Sequence, residues 1–351
     1  MKILVLGGTG AIGEPLVKEL SDKGHTLWVT SRSKSGTYGN VIFVQGDAKN
    51  DIFLTEILEE HYDVIIDFMV YSTLELKKRI DILLYNTNHY FFFSSSRVYA
   101  NHTGRLTEDS PRLLDVCQDS YYLLTDEYAL AKAREENILR THDLQNWTII
   151  RPYITYNNYR LQLGVLEKES WLYRALHGRT IVFSKDIANK TTALTHGLDV
   201  AHIICNLIGK EKVKGQAFHI TTSEYMYWRD ILEIYLDTVY EEIGFRPNVI
   251  YIDNVNEMSE VWNYYQIKYD RLYDRKFDNS KISSFCDNIE YKSMLEGLRQ
   301  SISSFLKEPR WLNINWKYEA WADRQTHEHT SLKEIPGLKN KLRYIKYRYI
   351  T

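Results

Sequence analysis

The first thirteen residues constrain the fold more than any other part of the chain. Lys2–Leu6 form an apolar strand pattern, and the seven residues that follow contain four glycines. Glycine permits backbone angles and close approaches that other residues resist, and a helical pattern begins at Ala11. The start of a helix offers unbonded N–H groups and a positive dipole end to phosphates. We therefore predict a dinucleotide-binding turn made by Gly7, Thr9, Gly10, Ala11, Ile12 and Gly13.

Strand and helix patterns alternate through the first 150 residues. The strand patterns are almost wholly apolar, which is typical of a sheet that helices cover on both faces. They are Lys2–Leu6, Thr26–Ser31, Val41–Gln45, Asp63–Asp67, His89–Phe93 and Trp147–Arg151. The helical patterns between them are Ala11–Ser21, Ile52–Glu60, Leu74–Tyr85 and Tyr122–Arg140. This alternation predicts an α/β fold with a Rossmann-type, doubly wound parallel sheet.

The regular alternation stops near Pro152, where helices and short strands become mixed. The later helical patterns are Lys168–His177, Leu198–Ile208, Trp228–Ile243 and Lys292–Leu306. The later strand patterns are Thr180–Phe183, Ala217–Ile220 and Val249–Ile252. We therefore expect a nucleotide-binding domain with the catalytic residues over 1–160, and a smaller, interleaved substrate lobe of mixed α/β structure over 161–310. Residues 311–351 form an aromatic and basic C-terminal extension.

Charge and cysteine usage exclude several classes of protein. The 351 residues carry a formal net charge of -2, which gives no electrostatic reason to expect a nucleic acid or membrane partner. Cys117, Cys205 and Cys286 are few and far apart, so they favour a reducing compartment and show no metal-binding spacing. The apolar run at the N-terminus ends at Gly7, which is too short for a signal peptide. We expect a soluble cytoplasmic protein with no metal site.

Tyr128 and Lys132 are four residues apart, so on a helix they share one face. A phenol is a poor acid or base at neutral pH because its ordinary pKa is about 10, and a nearby ammonium favours the phenolate. Such a pair can exchange a proton with an alcohol or carbonyl while hydride moves to or from a nicotinamide. An exposed Tyr/Lys pair on a helix is also common, so the spacing by itself leaves both interpretations open.

Three serines, Ser94–Ser96, follow the apolar strand pattern that ends at Phe93. The carboxyl edge of a parallel sheet is where ligands bind, so a serine there can hydrogen-bond a reacting oxygen. A polar strand end or a helix cap would explain any one of them equally well.

Taken together, these motifs resemble the extended short-chain dehydrogenase/reductases, in their nucleotide-sugar epimerase/dehydratase branch. The matching segments occur in family order over roughly residues 1–160. They are Gly7-x-x-Gly10-x-x-Gly13, Gly46-Asp47, Ser94–Tyr99, Tyr128-x-x-x-Lys132 and Arg151–Tyr156.

The resemblance implies a role for individual residues. Ser95, Tyr128 and Lys132 would be catalytic: Ser95 binds the reacting oxygen, Tyr128 is the acid or base, and Lys132 is its cationic partner. Lys132 would also bind the nicotinamide ribose. The other implied cofactor contacts are Asp47 and Ala48 at the adenine, Phe68 and Met69 after the fourth strand, and Pro152 and Ile154 near the nicotinamide.

The positions after Ser95 depart from parts of the family. Dehydratases place an Asp-Glu pair directly after the catalytic hydroxyl residue, and sugar-acid decarboxylases keep a glutamate two residues after it. Here those positions are Ser96 and Arg97, so the sequence disfavours elimination of water and favours an epimerase or a 4-ketoreductase. The implied partner is a nucleotide sugar, with Tyr71, Ser96, Arg97, Asn157 and Arg160 as candidate contacts.

The end of the second strand bears on the choice of cofactor. An NAD enzyme commonly carries an acid there for the ribose diol, whereas this chain has Ser31 and Arg32. A hydroxyl and a guanidinium suit a 2′-phosphate, so we favour NADP(H) and keep NAD(H) as the alternative. An exposed loop arginine with no ligand is the other interpretation.

The segment between Asp67 and His89 is shorter than in typical members of the family. It includes the region that forms a dimer in those members, so a homodimer is only one of the possible assemblies. The shortened segment resembles a branch that includes chloroplast stem-loop RNA-binding proteins. A non-catalytic nucleotide- or RNA-binding function is therefore the alternative hypothesis.

Overall fold

The computed structural model describes residues 1–286 and 289–350. The described strands are β1 (Lys2–Leu6), β2 (Thr26–Ser31), β3 (Gly36–Tyr38), β4 (Val41–Gln45), β5 (Tyr62–Asp67), β6 (Thr87–Phe93), β7 (Trp147–Pro152), β8 (Ile154–Tyr156), β9 (Ile181–Ser184), β10 (Thr191–Thr192), β11 (Leu194–His196), β12 (Gln216–Ile220), β13 (Met226–Tyr227) and β14 (Val249–Ile252). The described α-helices are α1 (Gly13–Asp22), α2 (Asp51–Ile57), α3 (Thr73–Tyr85), α4 (Leu113–Val116), α5 (Ser120–Leu123), α6 (Tyr128–Arg140), α7 (Lys168–Leu176), α8 (Lys185–Ala188), α9 (Gly197–Leu207), α10 (Trp228–Ile243), α11 (Tyr264–Gln266), α12 (Ser280–Phe285), α13 (Met294–Lys307), α14 (Trp316–Thr326) and α15 (Leu338–Ile345). Single 3₁₀ or π turns cover Ser96–Val98, Glu211–Val213, Val255–Met258, Ile267–Arg271 and Lys346–Ile350.

Contacts between Cα atoms divide the chain into two units, each built from three stretches. Unit 1 comprises Met1–Thr155, Ala193–Ser223 and Lys276–Lys292. Unit 2 comprises Tyr156–Thr192, Glu224–Arg275 and Ser293–Thr351, of which Thr351 lies outside the described residues.

Unit 1 is built on an eight-stranded sheet in the order β12-β7-β6-β5-β1-β2-β4-β3. Each neighbouring pair is parallel except β3 with β4. The predicted α/β fold with a Rossmann-type parallel sheet is confirmed. The sequence pattern placed the strand near Ala217 in a second lobe, whereas the structure pairs Ala217 of β12 with Ile149 of β7.

Alternate residues of β1 face opposite sides of this sheet, as the pleat of a strand requires. Ile3 and Val5 belong to a core that also contains residues of α1 and α9, among them Leu16 and Ile204. Leu4 and Leu6 face a second core formed with α2 and α3, among them Leu54, Leu76 and Leu83. The central strands are therefore apolar on both faces, which explains their unbroken hydrophobic pattern.

The predicted helix Tyr122–Arg140 is divided in the structure. Glu127 has an extended backbone (φ -58°, ψ 147°), and its side chain accepts a hydrogen bond from the Ala129 amide, which caps α6. The cap makes Tyr128 the first residue of α6. The phenol therefore projects from the N-terminal turn of the helix.

Unit 2 contains two small sheets, the antiparallel pair β10–β13 and the parallel pair β9–β14. Its aromatic C-terminal helix α14 is largely buried, with Trp316, Tyr318 and Trp321 all in the interior. No helix in the described part of the chain is both long enough and apolar enough to cross a membrane.

Candidate functional site

The glycine turn between β1 and α1 is held by close packing. Gly7 has φ 76°, and a Cβ there would lie 3.0 Å from the Met69 sulfur. A Cβ on Gly13 would lie 2.7 Å from the carbonyl carbon of Gly8. The structure therefore requires glycine at these positions, because a side chain would separate the helix from the turn.

The start of α1 is open to a ligand. Its N-cap residue Ile12 provides no side-chain hydrogen bond. The Glu14 amide donates to the Gly10 carbonyl at 3.0 Å and Pro15 has no N–H, so Gly13 supplies the helix N–H that can meet an anion. The Gly7 amide, in contrast, donates to Thr30 Oγ1 at 3.0 Å, which ties the turn to β2.

A cleft of about 580 Å³ lies beside this turn, within unit 1. The predicted cofactor contacts that line it are Gly7, Thr9, Ser31, Arg32, Asp47, Ala48, Phe68 and Met69. Thr30, Gly46, Lys49 and Val70 also line it; the sequence reasoning named Gly46 only as part of a family motif and did not assign the other three to the cofactor. Gly10, Ala11, Ile12 and Gly13 belong to the turn or the first turn of α1 rather than to this lining.

Arg32 and Lys49 bring two cations to the rim of the cleft. Arg32 is exposed, and the neighbouring Ser31 hydroxyl accepts hydrogen bonds from the Ser33 and Lys34 amides. Lys49 lies 3.4 Å from Glu75, and its amide donates to Asp47 Oδ1 at 2.9 Å. The two cations allow the rim to bind an anionic group. The Ser31 hydroxyl already accepts hydrogen bonds within the turn that follows β2.

The three serines after β6 have different partners. Ser94 Oγ donates to Glu136 at 2.6 Å, and Ser96 Oγ donates to the Arg151 carbonyl at 2.8 Å. Ser95 Oγ accepts from the Arg97 amide at 3.2 Å, which leaves its proton available for another acceptor. The predicted catalytic serine thus differs from its neighbours, whose protons are committed to the interior. A substrate contact by Ser96 would require its bond to Arg151 to open.

Lys132 is 1% exposed and lies beside another buried charge, Glu135, which is 0% exposed. Its Nζ is 2.9 Å from Glu135 Oε2 and 4.6 Å from the centre of the Phe92 ring. The two charges form an ion pair, and the remaining N–H groups of Lys132 have no hydrogen-bond partner among the described residues. Burial raises the pKa of Glu135, and the charge of Lys132 opposes that shift.

Asp67 ends β5 next to this pair and is fully hydrogen-bonded. It accepts from Tyr90 at 2.8 Å, from Tyr71 at 3.1 Å and from the Met69 amide at 2.8 Å. Burial raises the pKa of Asp67, while its hydrogen-bond donors and Lys132 lower it. Tyr71, a predicted substrate contact, is buried and directs its hydroxyl at Asp67.

A second buried network supports the same edge of the sheet. Arg151 of β7 donates to Glu136 of α6 through Nε at 2.7 Å and through Nη2 at 2.6 Å, and Arg112 adds a third contact at 3.2 Å. Burial alone would raise the pKa of Glu136. The charges and hydrogen bonds of these arginines have the larger effect, so the pKa of Glu136 is lowered. The network fixes α6, the helix that carries Tyr128 and Lys132, against β6 and β7.

The remaining predicted contacts lie elsewhere in the chain. Pro152 and Ile154 lie at the end of β7 and in β8, where Ile154 is buried. Asn157 and Arg160 are in unit 2, where their backbones pair with each other across a short turn. The roles assigned to these four residues stay predictions.

Comparison with known proteins identifies the family. A model of the NAD dependent epimerase/dehydratase family matches residues 3–221. The chain belongs to this family. Within it, the predicted resemblance to nucleotide-sugar epimerases and dehydratases is confirmed.

Curated relatives of this family member are distant. The chloroplast stem-loop binding protein of 41 kDa b from Arabidopsis thaliana is 24% identical over 241 residues, which cover 64% of this chain and 60% of the relative. The alignment thus spans less than two thirds of that relative. A UDP-N-acetyl-alpha-D-glucosaminuronate decarboxylase from Bacillus cytotoxicus is 22% identical over 87% of this chain and 97% of its own length.

Solved structures of similar fold include two enzymes from Bacillus. A dTDP-glucose 4,6-dehydratase from Bacillus anthracis, in complex with NAD, matches with a TM-score of 0.67 and 19% identity, over 89% of this chain and 98% of its own. A UDP-glucuronic acid 4-epimerase from Bacillus cereus, in complex with UDP-glucuronic acid and NAD, matches with a TM-score of 0.66 and 15% identity, over 88% and 100%. These likenesses show the shared fold.

The sequence analysis did not single out several residues around the site, because their sequence patterns do not indicate a capping role or burial. Glu127 directly precedes Tyr128, and its capping role follows only from the break between α5 and α6. Glu135 and Glu136 look like adjacent charges on a solvated helix, but both are buried. The three-residue spacing of Lys132 and Glu135 could have shown that they lie one helical turn apart, on the same face of the helix.

Proposed function

We propose that this chain is an NAD(P)-dependent oxidoreductase-type enzyme that acts on a nucleotide sugar, as an epimerase or a 4-ketoreductase. The observation that carries the proposal is the placement of Ser95, Tyr128 and Lys132. They lie on two elements, the end of β6 and the start of α6, that the buried Arg151–Glu136 network joins. Membership of the epimerase/dehydratase family supports it.

The volume of the cleft, about 580 Å³, and the donors that line it support a dinucleotide as its ligand. Gly7, Thr9 and the open start of α1 would hold the pyrophosphate, and Asp47 and Ala48 would meet the adenine. Arg32 would bind a 2′-phosphate, so we favour NADP(H), with NAD(H) as the alternative. The structures of the related enzymes from Bacillus anthracis and Bacillus cereus contain NAD. Measuring the affinity for NADP(H) and for NAD(H) therefore tests this preference directly.

Tyr128 would exchange a proton with the oxygen on the reacting sugar carbon, and Ser95 would donate a hydrogen bond to that oxygen. When bound, the nicotinamide supplies the hydride acceptor and donor. Lys132 would bind the nicotinamide ribose and favour the phenolate of Tyr128. The ribose hydroxyls would also complete the hydrogen bonding of Lys132, which its ion pair with Glu135 does not provide.

The residues after Ser95 support an epimerase or reductase over the eliminating enzymes. Ser96 donates its proton to a backbone carbonyl, and Arg97 is a cation where a decarboxylase keeps an acid. Neither can supply the extra acid and base that removal of water needs. A uronic or neutral sugar linked to UDP or dTDP is the substrate class to test, since the related enzymes act on such molecules.

The test is to incubate the purified protein with a panel of UDP- and dTDP-sugars and their 4-keto forms, and to follow products by NMR. An epimerase interconverts two sugars without consuming added NAD(P)H, whereas a reductase oxidises one equivalent for each product formed. Failure of every sugar to react, with either cofactor and with a correctly folded protein, would contradict the proposal.

A second candidate is a nucleotide- or RNA-binding function. The observation that favours it is the similarity to the stem-loop binding protein from Arabidopsis thaliana. The net charge of -2 counts against it, because RNA-binding surfaces are usually basic. Stem-loop RNA binding measured as salt is raised separates the two functions, since true phosphate contacts give a steep salt dependence. No binding at low salt would remove this candidate.

A further inference from the structure

Arg97 lies against the residue predicted to carry the proton. Its guanidinium carbon is 5.2 Å from the centre of the Tyr128 ring, and its side chain is 13% exposed. A guanidinium within about 6 Å of a ring centre is attracted to the negative face of the ring. Arg97 therefore touches the predicted acid or base itself, which is a different position from the substrate contact that the sequence predicts.

Glu127 fixes Arg97 in this position. Arg97 Nη2 donates to Glu127 Oε1 at 2.7 Å, and the Glu127 side chain is 6% exposed. The other carboxylate oxygen accepts from the Tyr122 hydroxyl at 3.0 Å and from the Ala129 amide at 2.9 Å. Burial and the charge of Glu127 both raise the pKa of Tyr122, so Tyr122 stays a neutral donor. Because the same carboxylate caps α6, the position of Arg97 is coupled to the start of the helix that carries Tyr128.

We propose that Arg97 is a positioning residue for Tyr128, and that it orients the phenol and favours its phenolate. This inference rests on the proposed function, in which Tyr128 is the acid or base. The single cation that the family resemblance assigns to this task, Lys132, has its charge opposed by Glu135 at 2.9 Å. Arg97 is paired as well, with Glu127 at 2.7 Å, but that carboxylate shares its charge among three donors, so Arg97 adds a second cation on the ring face.

The other charges near Tyr128 are accounted for by their own partners. Asp126, the residue before Glu127, accepts from Thr73 at 2.6 Å and lies 3.2 Å from Arg134. Lys132 pairs with Glu135 and interacts with Asp67. Arg97 is thus the cation described on the face of the ring, and its removal should act on the ionisation of the phenol more than on the fold.

The decisive experiment reads the ionisation of residue 128 without turnover. 3-Fluorotyrosine is introduced at position 128, and its fluorine NMR signal is followed against pH in the full-length protein. Arg97→Gln should move the midpoint of that titration upward, because a cation on the ring face is lost. Arg97→Lys, which keeps the charge and loses the planar fork, should restore part of the shift. Arg97→Met, which keeps the aliphatic packing, replaces the glutamine variant if that variant does not fold.

Lys78→Gln is the matched control, because it removes an exposed cation from α3. Its midpoint should equal that of the unchanged protein. An unchanged midpoint in Arg97→Gln, or an equal shift in Lys78→Gln, would overturn the inference. With a reacting sugar in hand, the pH of half-maximal kcat/KM for alcohol oxidation should rise in parallel. Absence of turnover would count against the proposed function alone, since the fluorine titration does not depend on it.

Discussion

Units 1 and 2 each bury a cluster of charged side chains, and a central cation in each, Lys132 or Arg174, is hydrogen-bonded to a very different degree. In unit 2, Arg174 is 0% exposed and donates to Glu319 at 2.9 Å, to Asp323 at 2.8 Å, to Glu328 at 3.0 Å and to the Thr180 carbonyl at 3.0 Å. In unit 1, Lys132 forms an ion pair with Glu135 at 2.9 Å, and its remaining N–H groups have no hydrogen-bond partner among the described residues.

This difference separates a structural cluster from one that can receive a ligand. A buried charge is costly unless hydrogen bonds surround it, and Arg174 has them from its own unit. Lys132 lacks them, so an incoming hydroxyl would complete its bonding and gain free energy in doing so. Burial of charge alone therefore does not indicate a catalytic site. Incomplete bonding does so only beside a predicted cofactor cleft, since Glu319 Oε1 and Arg179 Nε of unit 2 also lack a hydrogen-bond partner among the described residues.

The largest effect should come from Tyr128→Phe, which removes the proton donor. We expect turnover to fall by about 10²- to 10⁴-fold, while cofactor affinity and melting temperature stay close to those of the unchanged protein. Steady-state kinetics, cofactor titration and thermal melting measure the three quantities. Tyr121→Phe, at an exposed tyrosine nearby, is the control. Loss of stability without loss of turnover would mean that the unit 1 cluster is structural, like that of unit 2.

Arg174→Met should show the opposite signature. Removal of the guanidinium leaves buried carboxylates unpaired, which costs about 3–5 kcal/mol in the free energy of unfolding. Chemical denaturation measures that cost, and Arg246→Met, at an exposed pair with Asp237 and Glu233, should cost about 1 kcal/mol or less. A stable Arg174→Met protein would show that the unit 2 cluster does not hold that unit together.

Glu319 should give unit 2 a pH dependence. Burial raises the pKa of Glu319 from 4.5 to about 7, against the lowering effect of Arg174. The folded state therefore binds this proton more tightly than the unfolded state does. Its contribution to stability is complete below pH 4.5, on the order of 3 kcal/mol, and is lost as the pH rises through about 7.

Glu319→Gln removes this titration, so the fall in unfolding free energy from about pH 5 to about pH 8 should be smaller in the variant than in the unchanged protein. Glu296→Gln, at an exposed position of α13, should leave the pH profile unaltered. Identical profiles for the unchanged protein and Glu319→Gln would show that the carboxyl keeps its ordinary ionisation in the folded state.

The smallest effect concerns the cleft of unit 1. Arg32→Asp should shift the ratio of NADP(H) to NAD(H) affinity by about tenfold towards NAD(H), because a charge-assisted bond to the 2′-phosphate is lost. Lys34→Asp makes the same charge change outside the cleft lining and serves as the control. Calorimetric titration of both cofactors tests this, and a ratio that stays constant in Arg32→Asp would remove the 2′-phosphate role.

The strands were predictable because their signal is local. The bounds of β1, β2, β4 and β14 agree with the apolar patterns residue for residue. The place of a strand in the sheet was not predictable in the same way. β12 joins β7 across more than sixty residues of chain, and only the pairing Gln216 with Thr148 and onward reveals this.

Helix patterns predicted the ends of helices less reliably where a capping residue interrupts the pattern. The predicted helix runs from Tyr122 to Arg140 without a break, whereas in the structure α5 ends at Leu123 and the Glu127 side chain caps the start of α6. The same residue holds Arg97 against Tyr128, a contact that joins positions thirty-one residues apart. The spacing of residues along the sequence does not indicate which distant side chains come into contact.

By itself, the sequence determined the α/β class, the glycine turn, the family and the spacing of Tyr128 and Lys132, because these depend on short-range periodicity and on motifs with fixed local geometry. The tertiary structure alone decided which charges are buried, which of them are fully bonded, and which side chain faces the phenol. Those properties depend on contacts between distant parts of the chain: Arg151 with Glu136, Arg174 with Glu319, and Arg97 with Tyr128.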